Sequence, residues 1–503
     1  MIHFEKQVFP GKGKALIFFV SEGEANTRNN SFTQLDSILK GKLTKITETH
    51  SFTGKENQHI TVEGETQYEH IILYGTGKTA EMKPVRFREH LAGAVRLAVS
   101  LRVPSLGFFC PSGLTENGFE TGKAIALAFH LAQYRFDKYR GKEDLKKIHR
   151  IAELFVYSTE GFGPNFQQGA ETGQKIAKGI MLTRDLVNEP ASFVHPAALV
   201  KEARRIASDS KGLITAEVLN REQSREKGMG AFLAVAQGSE HEPQFIILSY
   251  RPKTAAAHKN KKICFVGKSI TFDSGGLSLK PSKAMEDMKI DMAGGASVLG
   301  VFQALAYGVE VQCEVVGILP ACENMPSGKA LRPGDIVTAM NGKNIEVLNT
   351  DAEGRLALAD AVAYAEKIIK PDLIIDFATL TGACMVALGE DIAGVFGNND
   401  REVKRFMECT KQEGEDAWTM PYYRPYLDLM KSDVADLKNV SGKGYGGAIT
   451  AALFIGEFVS KTKWIHVDIA GPAHNSGRIR GTVGKGGTGW GVLSIINLLQ
   501  TGA

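Results

Sequence analysis

Residues 349–356 read NTDAEGRL, which sets two carboxylates one residue apart and an arginine two further on in an apolar neighbourhood. A second acid-bearing stretch lies upstream. In VGKSITFDSGGLSLKPSKAMEDMKIDMAGG (266–295), Lys268, Asp273, Lys280 and Asp291 punctuate a segment that is otherwise glycine-rich or apolar. Each acid taken alone reads as a helix cap or a surface charge. Their placement together reads differently. Asp273 follows an apolar run and precedes Gly275 and Gly276, Asp291 stands before a glycine-led helical stretch, and Asp351 and Glu353 open another. An extended backbone at 351–353 would put both of those acids on one face, because side chains alternate along a strand. Four carboxylates gathered in a buried place stay ionised only beside compensating cations. A pair of divalent metal ions is the economical compensation, and hard oxygen ligands suit Zn²⁺, Mn²⁺ or Mg²⁺.

Convergence requires a scaffold, and the chain offers one. Short apolar runs alternate with helical patterns, which predicts an α/β fold with a mostly parallel central sheet. In the first part the runs are ALIFFV (15–20), HIILYGTG (70–77), SLGFFC (105–110) and AELFVYS (152–158), with helical stretches FREHLAGAVRLAVSL and TGKAIALAFHLAQYRF between them. In the second they are FIILSY (245–250), KICFVG (262–267), CEVVGILPA (313–321), LIIDFATL (373–380) and WIHVDIAG (464–471). Polar, glycine-rich loops follow several of these, where open α/β sheets place their chemistry. With 503 residues, 43% of them hydrophobic, two domains are expected. The break GFGPNFQQG (161–169) puts the boundary near 165. Residues 1–165 then form a smaller N-terminal α/β domain with an assembly, regulatory or binding role. Residues 166–503 form the catalytic domain, entered by a connecting helix at about 170–188.

Composition narrows the classes further. Six cysteines without a CxxC pair predict reduced, buried thiols in a cytoplasmic protein and exclude a disulfide frame. The six-residue apolar run ALIFFV is too short for an export signal, and no later stretch has membrane-spanning length, so no membrane partner is expected. Formal charge is +4, and the surplus lies in positions 1–160, with 22 basic against 18 acidic residues. The densest basic run, RFDKYRGKEDLKKIHR (135–150), contains its own acids and reads as a solvated helix face before it reads as a nucleic-acid patch. GTGK (75–78) lacks the full phosphate-loop spacing and reads as a tight turn, and SGKGYGG (441–447) lacks the preceding pattern as well. Without an HExxH motif, His466 and His474 are expected to be structural.

NTDAEGRL, together with DLVNEPA (185–191), ITFDSGGLSLKP (270–281), ENMPSGKALRPGD (323–335), ATLTGACMVALG (378–389), SGKGYGGAITAALF (441–454) and HVDIAGPA (466–473), resembles the leucyl aminopeptidase (cytosol aminopeptidase) family. The resemblance covers essentially 180–503, whereas 1–165 matches in general α/β character and position. Ser269 stands where many members have glycine, and His195 and Asn475 lie in segments that vary.

The resemblance implies that Lys268, Asp273, Asp291, Asp351 and Glu353 hold two metal ions, with Asp273 and Glu353 bridging or approaching both. Lys268 must then be neutral, since an ammonium cannot coordinate. The implied reaction is hydrolysis of the first peptide bond, N-terminal leucine or another apolar residue being released, with a water activated by the metal pair. Lys280 would stabilise the developing oxyanion as an ammonium. Arg355 would hold a bicarbonate ion as general base, its plainer role being a salt bridge to Glu353. Met288, Thr379, Gly382 and Ala383 match an apolar specificity pocket, although a methionine near a site is also common core filler. The implied assembly is a homohexamer. Two other classes compete with the dimetal aminopeptidase. One is a different metal-dependent hydrolase such as a phosphoesterase, distinguished by whether a free substrate amine is required. The other is a nucleic-acid or partner-binding role for 1–165, distinguished by salt-dependent binding.

Overall fold

The apolar runs become strands because β-branched and aromatic residues pack best on a pleated surface buried on both faces. In the computed structural model, which describes residues 1–7, 11–22, 33, 36–37, 40–63, 68–78, 82–252 and 261–501, the chain divides into two compact units. The first comprises Met1–Ala177 with Arg478–Gly484, the second Lys178–Gly477 with Lys485–Ala503. The division falls inside a long helix, Pro164–Asn188. It therefore lies beyond the GFGPNFQQG break, whose proline opens that helix. A first-turn proline is well placed there because its missing N–H has no intrahelical partner to lose.

The first unit is built on six strands: β1 (Ile2–Lys6), β2 (Ala15–Ser21), β3 (His59–Glu63), β4 (His70–Gly77), β5 (Ser105–Phe109) and β6 (Glu153–Ser158). Their order is β1-β6-β5-β2-β4-β3, and all pairs are parallel except β3 with β4. Alternation along β2 sends Ile17 into one core with Phe87, Leu91 and Phe108, and Leu16 and Phe18 into another with Leu43 and Phe52. Both faces of the sheet are thereby covered. GTGK is not the expected tight turn. β4 runs through Gly77, and Gly75 is small because a Cβ there would strike the backbone of Gly54 and Lys55. In the basic run, Lys146, Lys147 and Arg150 pair at the surface with Glu143, Asp144 and Asp137. Only Lys142–Lys146 of it is helical.

The second unit carries β7 (Ile214–Leu219), β8 (Gln244–Tyr250), β9 (Lys262–Gly267), β10 (Ser269–Asp273), β11 (Glu314–Asn324), β12 (Ile336–Thr338), β13 (Asn344–Glu346), β14 (Leu373–Ala378), β15 (Ala393–Gly397), β16 (Ala417–Thr419), β17 (Leu437–Lys438) and β18 (Lys463–Asp468). Its main sheet has nine strands in the order β16-β15-β18-β14-β9-β11-β8-β7, with β10 paired to β11. The centre is parallel (β18, β14, β9, β11), while β15 with β18, and β7 and β8, run antiparallel toward the edges. Strands β12, β13 and β17 form a small separate sheet.

Two helices complete the positioning scaffold. Ala293–Ala306 and Gly354–Tyr364 are apolar nearly all round and buried nearly throughout, as such composition requires. Asp360, buried in the second of them, accepts from Phe232 N (2.8 Å) and Met340 N (2.7 Å) and so joins three segments. All six cysteines are free and buried. Among the described residues no helix is long and apolar enough to cross a membrane.

Candidate metal centre

The carboxyl ends of β9, β10 and β14 converge with the starts of the two buried helices. Lys268 directly follows β9, and its backbone is pinned by Lys268 N to Phe377 O (2.9 Å) and by Gly295 N to Lys268 O (2.8 Å). Its ammonium lies 2.7 Å from Asp291 Oδ1, 2.9 Å from Glu353 Oε1 and 3.0 Å from Thr379 O. Thr379 Oγ donates to the same Asp291 oxygen (2.8 Å). Asp273 closes β10 after a register slip against β11. Lys280 Nζ reaches Asp273 Oδ2 (2.9 Å) and Asp351 Oδ1 (2.5 Å).

The structure therefore brings Lys268, Asp273, Lys280, Asp291, Asp351, Glu353 and Thr379 together. It does so without the extended backbone expected at 351–353. That segment is a turn, and Glu353 already has helical angles (φ −77°, ψ −36°) as the residue preceding the helix Gly354–Tyr364. The helical conformation thus begins one residue ahead of Gly354, at Glu353 itself. Asp291 and Glu353 both sit at helix starts, where the helix dipole favours negative charge.

Two glycines are dictated by this packing. A Cβ on Gly354 would lie 2.6 Å from Lys268 Nζ, and one on Gly275, whose φ is +86°, would lie 2.9 Å from Asp351 Oδ1.

Electrostatically the site is strained toward protonation. Burial, with Asp273 and Asp291 nearby, raises Glu353 to about 8, against the lowering by Lys268. Burial likewise raises Asp291 to about 6, although Lys268 pulls it down. For Lys268 and Lys280 burial lowers the pKa, but the surrounding acids outweigh it and hold both well above the usual lysine range. Between two acids Lys268 favours its charged form, and coordination through its nitrogen would require loss of a proton.

The donor set fits divalent cations. Carboxylate oxygens of Asp273, Asp351 and Glu353 lie within 4.8 Å of one another. Asp291 Oδ2 and Glu353 Oε2 are buried without a hydrogen-bond partner. Native structures rarely bury such oxygens unless an ion or water completes them.

Arg355, in the first turn of its helix, does not form the salt bridge to Glu353. It donates from Nη1 to Asn439 O (2.8 Å), and its buried Nε has no partner. Burial lowers its pKa to about 10, with Glu353 and Asp468 opposing. Asn439 was not singled out by the sequence, yet it is fully buried and holds Leu348 N (2.9 Å), Asn349 N (3.3 Å) and Asn349 O (2.6 Å). Its position just ahead of SGKGYGG was the available signal. Met288 is half-buried in the turn before Asp291, while Gly382 and Ala383 begin an exposed short helix, Gly382–Leu388. His466 is buried against Asp376 (2.6 Å), His474 pairs with Gly487 at a short bridge, and His195 stacks on His241 at 4.7 Å.

Residues 181–496 match the model of the cytosol aminopeptidase family, catalytic domain, and 16–143 match that of its N-terminal domain. The chain belongs to the cytosol aminopeptidase family. The probable cytosol aminopeptidase of Alkaliphilus oremlandii is 39% identical over 497 residues, covering 97% of this chain and 96% of that protein. The cytosol aminopeptidase of Pseudomonas aeruginosa is 39% identical over 490 residues, covering 95% and 96%. Among solved structures, a point mutant of tomato leucine aminopeptidase superposes with a TM-score of 0.90 at 37% identity over 99% of this chain and 96% of that one. The bottromycin maturation enzyme BotP in complex with Mn gives a TM-score of 0.84 at 30% identity over 97% and 99%. The family membership makes this chain a metal-dependent aminopeptidase, a hydrolase of peptide bonds. The mixed α/β architecture, with an N-terminal and a catalytic domain, agrees with the sequence expectation.

Proposed function

We propose that this aminopeptidase releases N-terminal leucine or other apolar residues from peptides in the cytoplasm, using two divalent ions per chain. The observation that carries the reading is the cluster of Asp273, Asp291, Asp351 and Glu353 around two lysines, with two carboxylate oxygens left without partners. Lys268 and these four acids would hold the ions, which when bound supply Lewis-acid polarisation of the scissile carbonyl and acidify a water. Zn²⁺ or Mn²⁺, and also Mg²⁺, suit this donor set.

The chain's own groups do the remaining work. Lys280 stays charged because Asp273 and Asp351 outweigh its burial, so it can face a developing oxyanion as an ammonium. Arg355, anchored through Nη1 with Nε unpartnered, would hold a bicarbonate ion as the proton acceptor. Met288, Thr379, Gly382 and Ala383 would line the side-chain pocket. Residues 1–165 would serve assembly or regulation, and the family resemblance favours a homohexamer. All three acids of the 135–150 run are paired at the surface with its own Lys146, Lys147 and Arg150, which supports the reading of a solvated face over a nucleic-acid patch.

The test combines elemental analysis with paired substrates. We expect two divalent ions per chain, loss of activity in chelator, and no cleavage of a peptide whose amine is acetylated. Full activity in chelator, or equal rates on free and acetylated peptide, would sink the reading. Sedimentation should give six copies of the 54.5 kDa chain, and a monomer at working concentration would exclude the hexamer.

A further inference from the structure

Asn324 is the last residue of β11 and 5% exposed. It stands in register with Asp273 on β10. A buried carboxamide is costly unless its polar atoms find partners, and the partners here are informative. Nδ2 donates to Asp273 Oδ1 (2.9 Å) and to Thr350 O (3.0 Å), so it touches an acid of one loop and the backbone of the other. Both partners are acceptors, which fixes the orientation of the amide. The backbone of Asn324 is held too, since its carbonyl accepts from Ser274 N (3.0 Å) and Ser274 Oγ (2.7 Å). On the far side a Cβ at Gly276, where φ is +65°, would lie 2.8 Å from Asn324 Oδ1, so glycine there leaves the carboxamide its place.

The consequence falls on Asp273. Its Oδ1 accepts from Asn324 and also from Gly275 N (2.9 Å), which uses both in-plane lone pairs of that oxygen. Its Oδ2 instead faces the Lys280 ammonium at 2.9 Å.

We propose that Asn324 is a positioning residue for the peptidase reaction, its carboxamide tying Asp273 to Thr350 so that Asp273 offers Oδ2 to a cation at a fixed distance from Asp351. This deepens the two-ion reading and rests on it. A group that orients a metal ligand typically changes metal affinity or activity by about 10–100-fold.

The test uses the full chain stripped of metal and titrated with Co²⁺, followed by visible absorption, for wild type, Asn324→Ala and Asn324→Asp. Asn324→Asp keeps the volume and removes both donors. We expect each variant to bind one of two Co²⁺ ions about 10–100-fold more weakly, with altered absorption bands. Saturating Co²⁺ should restore kcat with KM unchanged, a rescue that a residue serving only the fold would not show. Two variants with wild-type affinity and spectrum would overturn the proposal. So would Asn324→Asp matching wild type while Asn324→Ala is weakened, because the side chain would then be a spacer. If circular dichroism shows one variant unfolded, the other decides. Wild type that binds no Co²⁺ overturns the two-ion reading itself, and the control separates that result from failure of the Asn324 assignment.

Discussion

Lys268 and Lys280 are both shifted above the usual lysine range by neighbouring acids, yet their surroundings assign them different work. Lys268 is 3% exposed and wedged between Asp291 and Glu353, whereas Lys280 has more solvent access, at 14%, and spans Asp273 and Asp351. Lys280→Ala should therefore cut kcat by about 10²–10³-fold, as loss of an oxyanion donor does, with both metals retained. Lys268→Ala should lose occupancy at one metal site, and excess metal should recover part of the rate. Metal titrations alongside kinetics on the two variants check this, and the reverse pattern would exchange the roles. At this scale the acids and lysines were legible because NTDAEGRL and ITFDSGGLSLKP crowd charges into apolar sequence. Asn324 and Asn439 were not legible as partners, since a single asparagine carries no spacing and its use depends on which loops the sheet brings beside it. The absence of an Arg355–Glu353 salt bridge was also invisible, because it follows from where the carbonyl of Asn439 lies.

The helix Gly354–Tyr364 shows how an element can serve as both core and site. Its first turn carries Arg355, and six residues before its start the chain is clamped by Asn439, while Asp360 at its middle accepts two backbone N–H groups from other segments. Asp360→Ala would strand both donors in the interior, a loss of at least about 2 kcal/mol at about 1–3 kcal/mol for each. Burial raises the Asp360 carboxyl to about 7 from its ordinary 3.8, against the lowering by Phe232 and Met340. A carboxyl raised in the folded state stabilises fully below its unfolded value, and that contribution is lost as pH rises through about 7. Thermal midpoints of wild type and Asp360→Ala should accordingly differ most near pH 4 and draw closer up to pH 7. A gap that widens over that range would show the carboxyl to be depressed instead. The central strands β9 and β14 were legible from continuous apolar runs. The edge strands β7 and β16 and the short β10 and β15 were not, because half-buried or brief strands carry too little pattern against the surrounding loops.

The two compact units are not consecutive in the chain. Residues Arg478–Gly484 belong with the first unit, where Thr482 N donates to Glu89 (2.8 Å), Arg96 donates to Gly481 O, and Arg480 and Val483 close a small bridge. A fragment ending at 177 leaves Glu89 and Arg96 without these partners. Its thermal midpoint should lie below that of the same fragment supplied with a 478–484 peptide, and equal midpoints would show the segment to be energetically idle. The sequence suggested a boundary from composition near 165, but composition cannot reveal a segment that returns from 300 residues further on. That return also sets a schedule. At about 5–20 residues per second of synthesis, the first unit leaves the ribosome roughly 15–60 s before its final segment exists. A nascent chain therefore passes through a period in which its N-terminal sheet is complete but unfastened, and translation speed across 178–477 sets how long that exposure lasts.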